Sequence, residues 1–278
     1  MRWTRRRRIV AACALLGGSA AAWHEAALHT MRSTRLPPPP PVAVRPLLGV
    51  TVILDPGHGG EDPGAVSRYG VEAADTYRAA AEIGAVLRAQ GATVVYTVQS
   101  RALDSSLAWS EPRLQVPTDA ALATNGMPIH ARHSPRQLWL RAAMARRVWN
   151  ARTGPDPARH IFFLSLHLDD EGSPDIRGSL VCVDRRRRVP AFGLALARAL
   201  VQDGLARAGS TSDGQPGLSR RSLGVLNPDY NPVPESALLE MTTLSNFDDA
   251  LRAADPQWRT QMAARIARAI VLVRQGQS

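Results

Sequence analysis

Cysteine is scarce in this chain of 278 residues, occurring only at Cys13 and Cys182. Cys13 falls in an N-terminal leader, so a processed protein keeps Cys182 alone and can form no internal disulfide. Cys182 lies in "SLVCV", where a buried strand thiol is expected rather than a nucleophile. Lysine is missing altogether. All 34 basic residues are arginine, which we read as codon usage rather than chemistry. No internal repeat occurs, so nothing marks a repeat architecture.

Charge is not concentrated in the way a nucleic-acid surface requires. The net charge is +10, yet residues 1–35 hold seven arginines against one glutamate, and the remainder holds 27 arginines against 23 acids. Such a balance excludes a strong footprint for DNA or RNA. A mildly basic surface still favours an anionic polymer. The one local cluster, Arg185–Arg188, reads as a solvated turn.

The N-terminus accounts for most of the basicity. "MRWTRRRR" is a positively charged start, "IVAACALLGGSAAAW" is an apolar run of 15 residues, and Ser19–Ala22 offers small residues for cleavage. A spanning helix needs ~20 apolar residues, so residues 1–35 are expected to be a signal peptide, with an uncleaved N-terminal membrane anchor as the alternative. Either form implies export to the periplasm or cell envelope. "LPPPPPVAVRP", residues 36–46, is an extended proline-rich linker, which places the catalytic domain at 47–278.

From there strands and helices alternate. Strands are expected at 50–54, 92–97, 160–167, 179–183 and 236–241, and helices at 73–90, 135–151, 190–208 and 256–274. This order indicates an α/β fold, a single domain with a mostly parallel central sheet flanked by helices. Residues 101–134 and 209–235 are long irregular segments, of the kind that form lids, inserts or binding loops.

Ligands of open α/β sheets gather at the carboxyl ends of strands. One strand here runs into "DPGHGG" with His58, another ends at His167 in "IFFLSLHLDD", and a third carries Glu240 in "SALLEMTTLSN". A carboxylate at the end of a buried strand is costly unless paired or bound to a metal. Glu72 stands at a helix start, where alone it would read as a helix-dipole feature. Two imidazoles and one carboxylate form a familiar zinc ligand set, and a further carboxylate can serve as general base. His58, Glu72, His167 and Glu240 fill these roles; Asp75 and Glu82 are the next candidates should Glu72 fail. His24 and His29 precede the linker, His130 and His133 lie in an irregular segment, and His160 is at the other end of its strand. The compact H-E-x-x-H signature is absent.

Over residues 48–275 the chain resembles the zinc-dependent N-acetylmuramoyl-L-alanine amidases of the type 3 family. "VILDPGHGGEDPGA" is similar to that family's opening motif, and "YGVEAADTYRAAAEIGAVLRAQGATVVYT" to its Gly-x-x-Glu helix and following strand. "LWLRAAMARRVWN" resembles its arginine-containing helix, "FFLSLHLDD" its second histidine strand, and "ALLEMTTLSNFDDALRAADPQWRTQMAARIARAI" its glutamate motif and last helix. The resemblance implies that His58, Glu72 and His167 bind Zn²⁺ and that Glu240 is catalytic. It further implies peptidoglycan as substrate and an envelope activator protein as a partner. The chain departs from the family at Leu168-Asp169-Asp170, at Met241-Thr242-Thr243 and at Ala73. Those departures keep two alternatives open: a catalytically silent envelope protein that binds glycan or a division partner, and a zinc hydrolase of another exported amide.

Overall fold

Val52, Ile53 and Leu54 are consecutive apolar residues with no exposed surface, as a strand buried on both faces requires. They form the middle of strand β1 (Thr51–Pro56) in the computed structural model, which describes residues 45–59, 62–100, 121–123, 135–151, 156–209 and 211–277. The leader and most of the linker (residues 1–44), most of the 101–134 segment, His130 and His133 lie outside the described residues. Arg45–Ser278 form one compact unit.

After β1 come β2 (Val66–Ser67), β3 (Gly70–Val71), α1 (Glu72–Ala89), β4 (Thr93–Tyr96), β5 (Val98–Ser100) and β6 (Ala121–Ala123). They are followed by α2 (Pro135–Asn150), β7 (Ile161–Asp169), β8 (Leu180–Asp184), α3 (Ala191–Gln202), β9 (Thr211–Ser212) and β10 (Gln215–Pro216). The chain then forms β11 (Leu218–Arg221), β12 (Glu235–Thr243), α4 (Phe247–Ala254) and α5 (Pro256–Arg274). The central sheet has six strands in the order β11-β8-β12-β7-β1-β4. β12, β7, β1 and β4 are mutually parallel; β8 lies antiparallel to β12, and β11 follows β8. The fold is therefore the α/β domain with a mostly parallel sheet that the alternation implies.

Strand alternation divides the core in two. Val52, Leu54, Phe162, Leu164, Leu166, Val181, Leu239 and Met241 face α1, α3 and α5 in the larger cluster. Ile53, Ile161, Phe163, Leu180, Cys182 and Leu238 face the other way, against Ala145 of α2 and Val225 and Leu226 of a short 3-10 turn.

Several boundaries differ from the sequence expectation. The helix expected over 190–208 stops at Gln202, because the chain turns at Gly204 (φ 66°) and Ala206 bridges to Ser179. β11 arises inside the segment read as irregular, and α4 precedes the expected last helix, with the Asn246 side chain accepting from Asp249 N as its cap. Cys182 is a fully buried strand thiol, and burial, with the Glu240 charge adding to it, pushes it up to about 12. Arg185–Arg188 do form a turn, in which Arg187 is half-buried and donates to the Asn231 and Val233 carbonyls. Among the described residues no helix is long and apolar enough to cross a membrane.

Candidate metal centre

Where β1 runs out, Gly57 N still bonds to Leu166 O of β7 at 2.8 Å. A β-carbon on Gly57 would stand 2.4 Å from the His167 ring, so only glycine lets that imidazole lie against the turn. His58 comes next with φ 61°, a left-handed conformation that costs a non-glycine residue roughly 1–2 kcal/mol. Buried contacts hold it there. Thr76 Oγ1 donates to Gly57 O at 2.9 Å, and Arg141 of α2 donates to Pro56 O at 2.6 Å and to the His58 carbonyl. Arg141 Nη1 also pairs with Asp55 Oδ1 at 2.7 Å; Ser165 Oγ donates to Asp55 Oδ2 at 2.6 Å, and the Thr97 hydroxyl also donates to Asp55.

The Asp55–Arg141 pair is a strut under the histidine turn, with Asp55 1% and Arg141 3% exposed. Breaking one side of such a pair leaves an uncompensated buried charge, so Arg141→Met is expected to cost about 3–5 kcal/mol of stability. Chemical denaturation checks this, and a loss below about 1 kcal/mol would mean that the pair behaves as a surface bridge.

Glu72 opens α1, but its side chain does not cap the helix. Its Oε2 accepts from Ala65 N at 2.8 Å, while Oε1 accepts from Leu168 N at 3.0 Å. That same Oε1 lies 3.0 Å from His167 Nδ1 and 3.2 Å from His58 Nε2. The two rings meet edge-on with centroids 5.0 Å apart. On its far side, His58 Nδ1 lies 2.9 Å from Asp62 Oδ2. Gly64 closes the turn, where a β-carbon would stand 2.5 Å from Glu72 Oε2 and 2.7 Å from the His58 ring.

Burial would lower the His58 pKa, but its hydrogen bonds to Asp62 and Glu72, together with their charges, raise it to about 9. Burial would raise Glu72, but hydrogen bonds from His167 and His58 and their charges hold its carboxyl well below the usual range. The negative charge is thus fixed between the imidazoles.

Among the described residues, His58, Glu72 and His167 are the group that could hold a metal ion, with one ligand atom from each, all within 4.8 Å of one another. A backbone N–H and two imidazole nitrogens crowd a carboxylate oxygen that has only two lone pairs. Ligands bound tetrahedrally at 2.0–2.1 Å stand ~3.3 Å apart, close to the spacings here, so the donor set fits zinc.

Glu240 lies on β12 directly beside His167 in register, on the same sheet face. Burial pushes its carboxyl up to about 7; the charges of Asp169 and Glu72 add to this, while those of His167 and Arg207 oppose it. The fallback carboxylates are occupied elsewhere: Asp75 pairs with Arg78 at 2.9 Å and Glu82 with Arg259 at 2.6 Å. His160 sits at the far end of β7, its Nδ1 3.1 Å from Asp156 O. Asp62, Asp55 and Arg141 went unremarked in the sequence; Asp62, four residues after His58 in the glycine-rich turn, was the one whose spacing could have revealed it.

A protein-family model described as N-acetylmuramoyl-L-alanine amidase matches residues 52–271. The chain belongs to this amidase family. Similar solved structures include the amidase AmiC2 of Nostoc punctiforme, 22% identical over 82% of this chain and 98% of that one, with a TM-score of 0.54. Ami1 from Mycobacterium smegmatis is 21% identical over 83% and 99%, with a TM-score of 0.54. The CwlD amidase from Clostridioides difficile, solved with the GerS lipoprotein, is 20% identical over 82% and 98%, with a TM-score of 0.53. At these identities the likeness is one of fold. A search of curated protein sequences gives no match.

Within this amidase domain the acidic departure after His167 is only partly offset. Leu168 N supports Glu72, and Asp169 Oδ2 pairs at 2.8 Å with Arg207 Nη1, which Asp169 shares with Glu171, so Arg207 offsets part of the negative charge beside Glu240.

Proposed function

We propose that the chain is an exported zinc-dependent hydrolase of the amide between N-acetylmuramic acid and L-alanine in peptidoglycan. The observation that carries this reading is the convergence of His58 Nε2 and His167 Nδ1 on one oxygen of Glu72, with Glu240 adjacent, in a chain of the amidase family. His58, Glu72 and His167 are the proposed zinc ligands. Zinc at such a site supplies a Lewis-acidic pole for the carbonyl oxygen and a more acidic water. Glu240 is the proposed general base: it accepts a proton from the attacking water and delivers it to the departing alanine amine. Burial raises the Glu240 carboxyl and the cation charge would oppose that rise, which keeps a proton acceptor that can also release its proton. Asp62 orients His58 through its second ring nitrogen, which keeps Nε2 directed at the ligand cluster.

In the same reading residues 1–35 are a signal peptide or anchor, 36–46 a spacer, and 47–278 the catalytic domain working in the periplasm or envelope. An envelope activator is the proposed protein partner, by analogy with the CwlD amidase solved with the GerS lipoprotein.

Metal analysis combined with muropeptide digestion tests the proposal. The purified domain is expected to carry one zinc, to lose activity on chelation and to regain it with zinc. Its products are expected to be free muramic termini and peptides beginning with L-alanine. A zinc-loaded protein that leaves muropeptides intact, or cuts them elsewhere, overturns it.

A further inference from the structure

A cavity of about 420 Å³ is walled by Glu171, Asp175, Arg177, Arg207 and Arg221 among others, and Arg207 ties it to Asp169 and Thr243 at the carboxyl ends of β7 and β12. Two of these hold its frame. Arg207 Nη1 bridges Asp169 at 2.8 Å and Glu171 at 2.9 Å, and its Nη2 donates to Thr243 Oγ1 at 3.2 Å. Three others carry charge that the fold does not consume. Arg177 and Asp175 have no ion-pair partner among the described residues, and Arg221 donates Nε to Ser219 Oγ at 3.2 Å without an acidic partner.

The sheet register relates the β11 wall of this cavity to Glu240. Ser219 pairs with Cys182, and Cys182 with Leu238, so all three side chains share the sheet face of Glu240. Folded back along Ser219, the Arg221 guanidinium stays on that face. Two inter-strand spacings, about 10 Å, separate β11 from β12, and Ser219 is level with Leu238, two residues short of Glu240, so the two positions lie about 12 Å apart. An extended peptide covers ~3.3–3.6 Å per residue, so the side chain of the third residue beyond a bond cut beside Glu240 comes within reach of the cavity. The lining selects among ligands. A polyanion would meet Glu171 and Asp175, and an apolar group would leave charged side chains unpaired. A group bearing both signs is satisfied, with a carboxylate on arginine forks and an ammonium on an acid.

We propose that this cavity is a subsite for the amino-carboxylate end of a stem-peptide residue, Arg177 and Arg221 taking the carboxylate and Asp175 the ammonium. The assignment rests on the amidase reading and adds to it the part of the substrate that is recognised away from the scissile bond.

The test uses the zinc-loaded protein and two muropeptides identical except at the third stem residue. One carries diaminopimelate with a free amino-carboxylate end, the other lysine, which has the ammonium alone. Wild type is expected to favour the first by ~10–100-fold in kcat/KM, mostly through KM, as charged hydrogen bonds typically give. In Arg177→Ala/Arg221→Ala that preference should fall to within ~3-fold, against ~10-fold or more in wild type. Equal turnover of both substrates by wild type, or a preference that survives the double substitution, overturns the inference. Should the double variant fail to fold, Arg177→Ala decides alone, because Arg177 is exposed and its removal empties no core. Calorimetric titration with the two free tripeptides separates the two proposals. Binding of the diaminopimelate peptide that weakens in Arg177→Ala supports the subsite even if neither muropeptide is cut, whereas cleavage of both without that binding leaves the amidase reading standing and removes the subsite.

Discussion

Glu240→Gln is expected to lower turnover by ~10²–10⁴-fold while bound zinc and peptidoglycan binding stay near wild type. Glutamine keeps the shape and a hydrogen-bonding end but cannot accept the proton of the attacking water. The expectation follows from where Glu240 stands: beside His167 in register, yet outside the cluster of three ligand atoms. Turnover of muropeptides and zinc content are measured on the same preparation. Loss of zinc would make Glu240 a ligand, and full activity would remove it from the mechanism.

His58→Ala and His167→Ala should fail differently, each losing most of its bound zinc. Even outer partners of metal ligands are commonly worth ~10–100-fold in affinity, so loss of a ligand should exceed that range. Glu72→Gln, which keeps the side-chain length but loses the charge and one of its two backbone hydrogen-bond acceptors, should weaken zinc binding and activity together. In the metal-free protein His58 holds its proton up to about 9, so zinc must displace that proton. Apparent zinc affinity of the wild type is therefore expected to rise as the pH climbs toward about 9, and His58→Ala should flatten that rise. Competition titration with a chelator across pH measures both effects. Stoichiometric zinc in both histidine variants would show that the ligand assignment is wrong.

The strands that carry the site were legible because their physics is local. β1, β7 and β12 are buried apolar runs, and each leads to a polar residue that burial alone does not explain. β11 escaped because it is an edge strand: Leu218 alone is buried, and Ser219, Arg220 and Arg221 resemble a loop. Asp55 and Arg141 escaped for another reason. They stand 86 residues apart, and no pattern along the chain announces that one neutralises the other beneath a histidine turn. The left-handed backbone of His58 was equally hidden, since flanking glycines pointed to a tight turn without showing which residue takes the unusual conformation. Asp75 shows the limit of reasoning by type: it is an acid one turn along the same helix as Glu72, yet it is spoken for by Arg78.

The reversed strands β8 and β11 give the mouth of the domain a mixed parentage. His167 and Glu240 arrive on strands travelling toward the rim, whereas residues 171–178 descend from it into β8, with Gly178 N tied to Asp249 Oδ2 at 2.6 Å. A loop that only enters a strand can change length or charge without shifting the ends of its neighbours. In the proposed subsite Asp175 and Arg177 lie on this loop and Arg221 on β11, so the selector can vary without replacing His58, Glu72, His167 or Glu240. A lineage could alter which cell walls it trims while leaving the cutting edge untouched, and an engineer could exchange residues 171–177 between relatives for the same purpose.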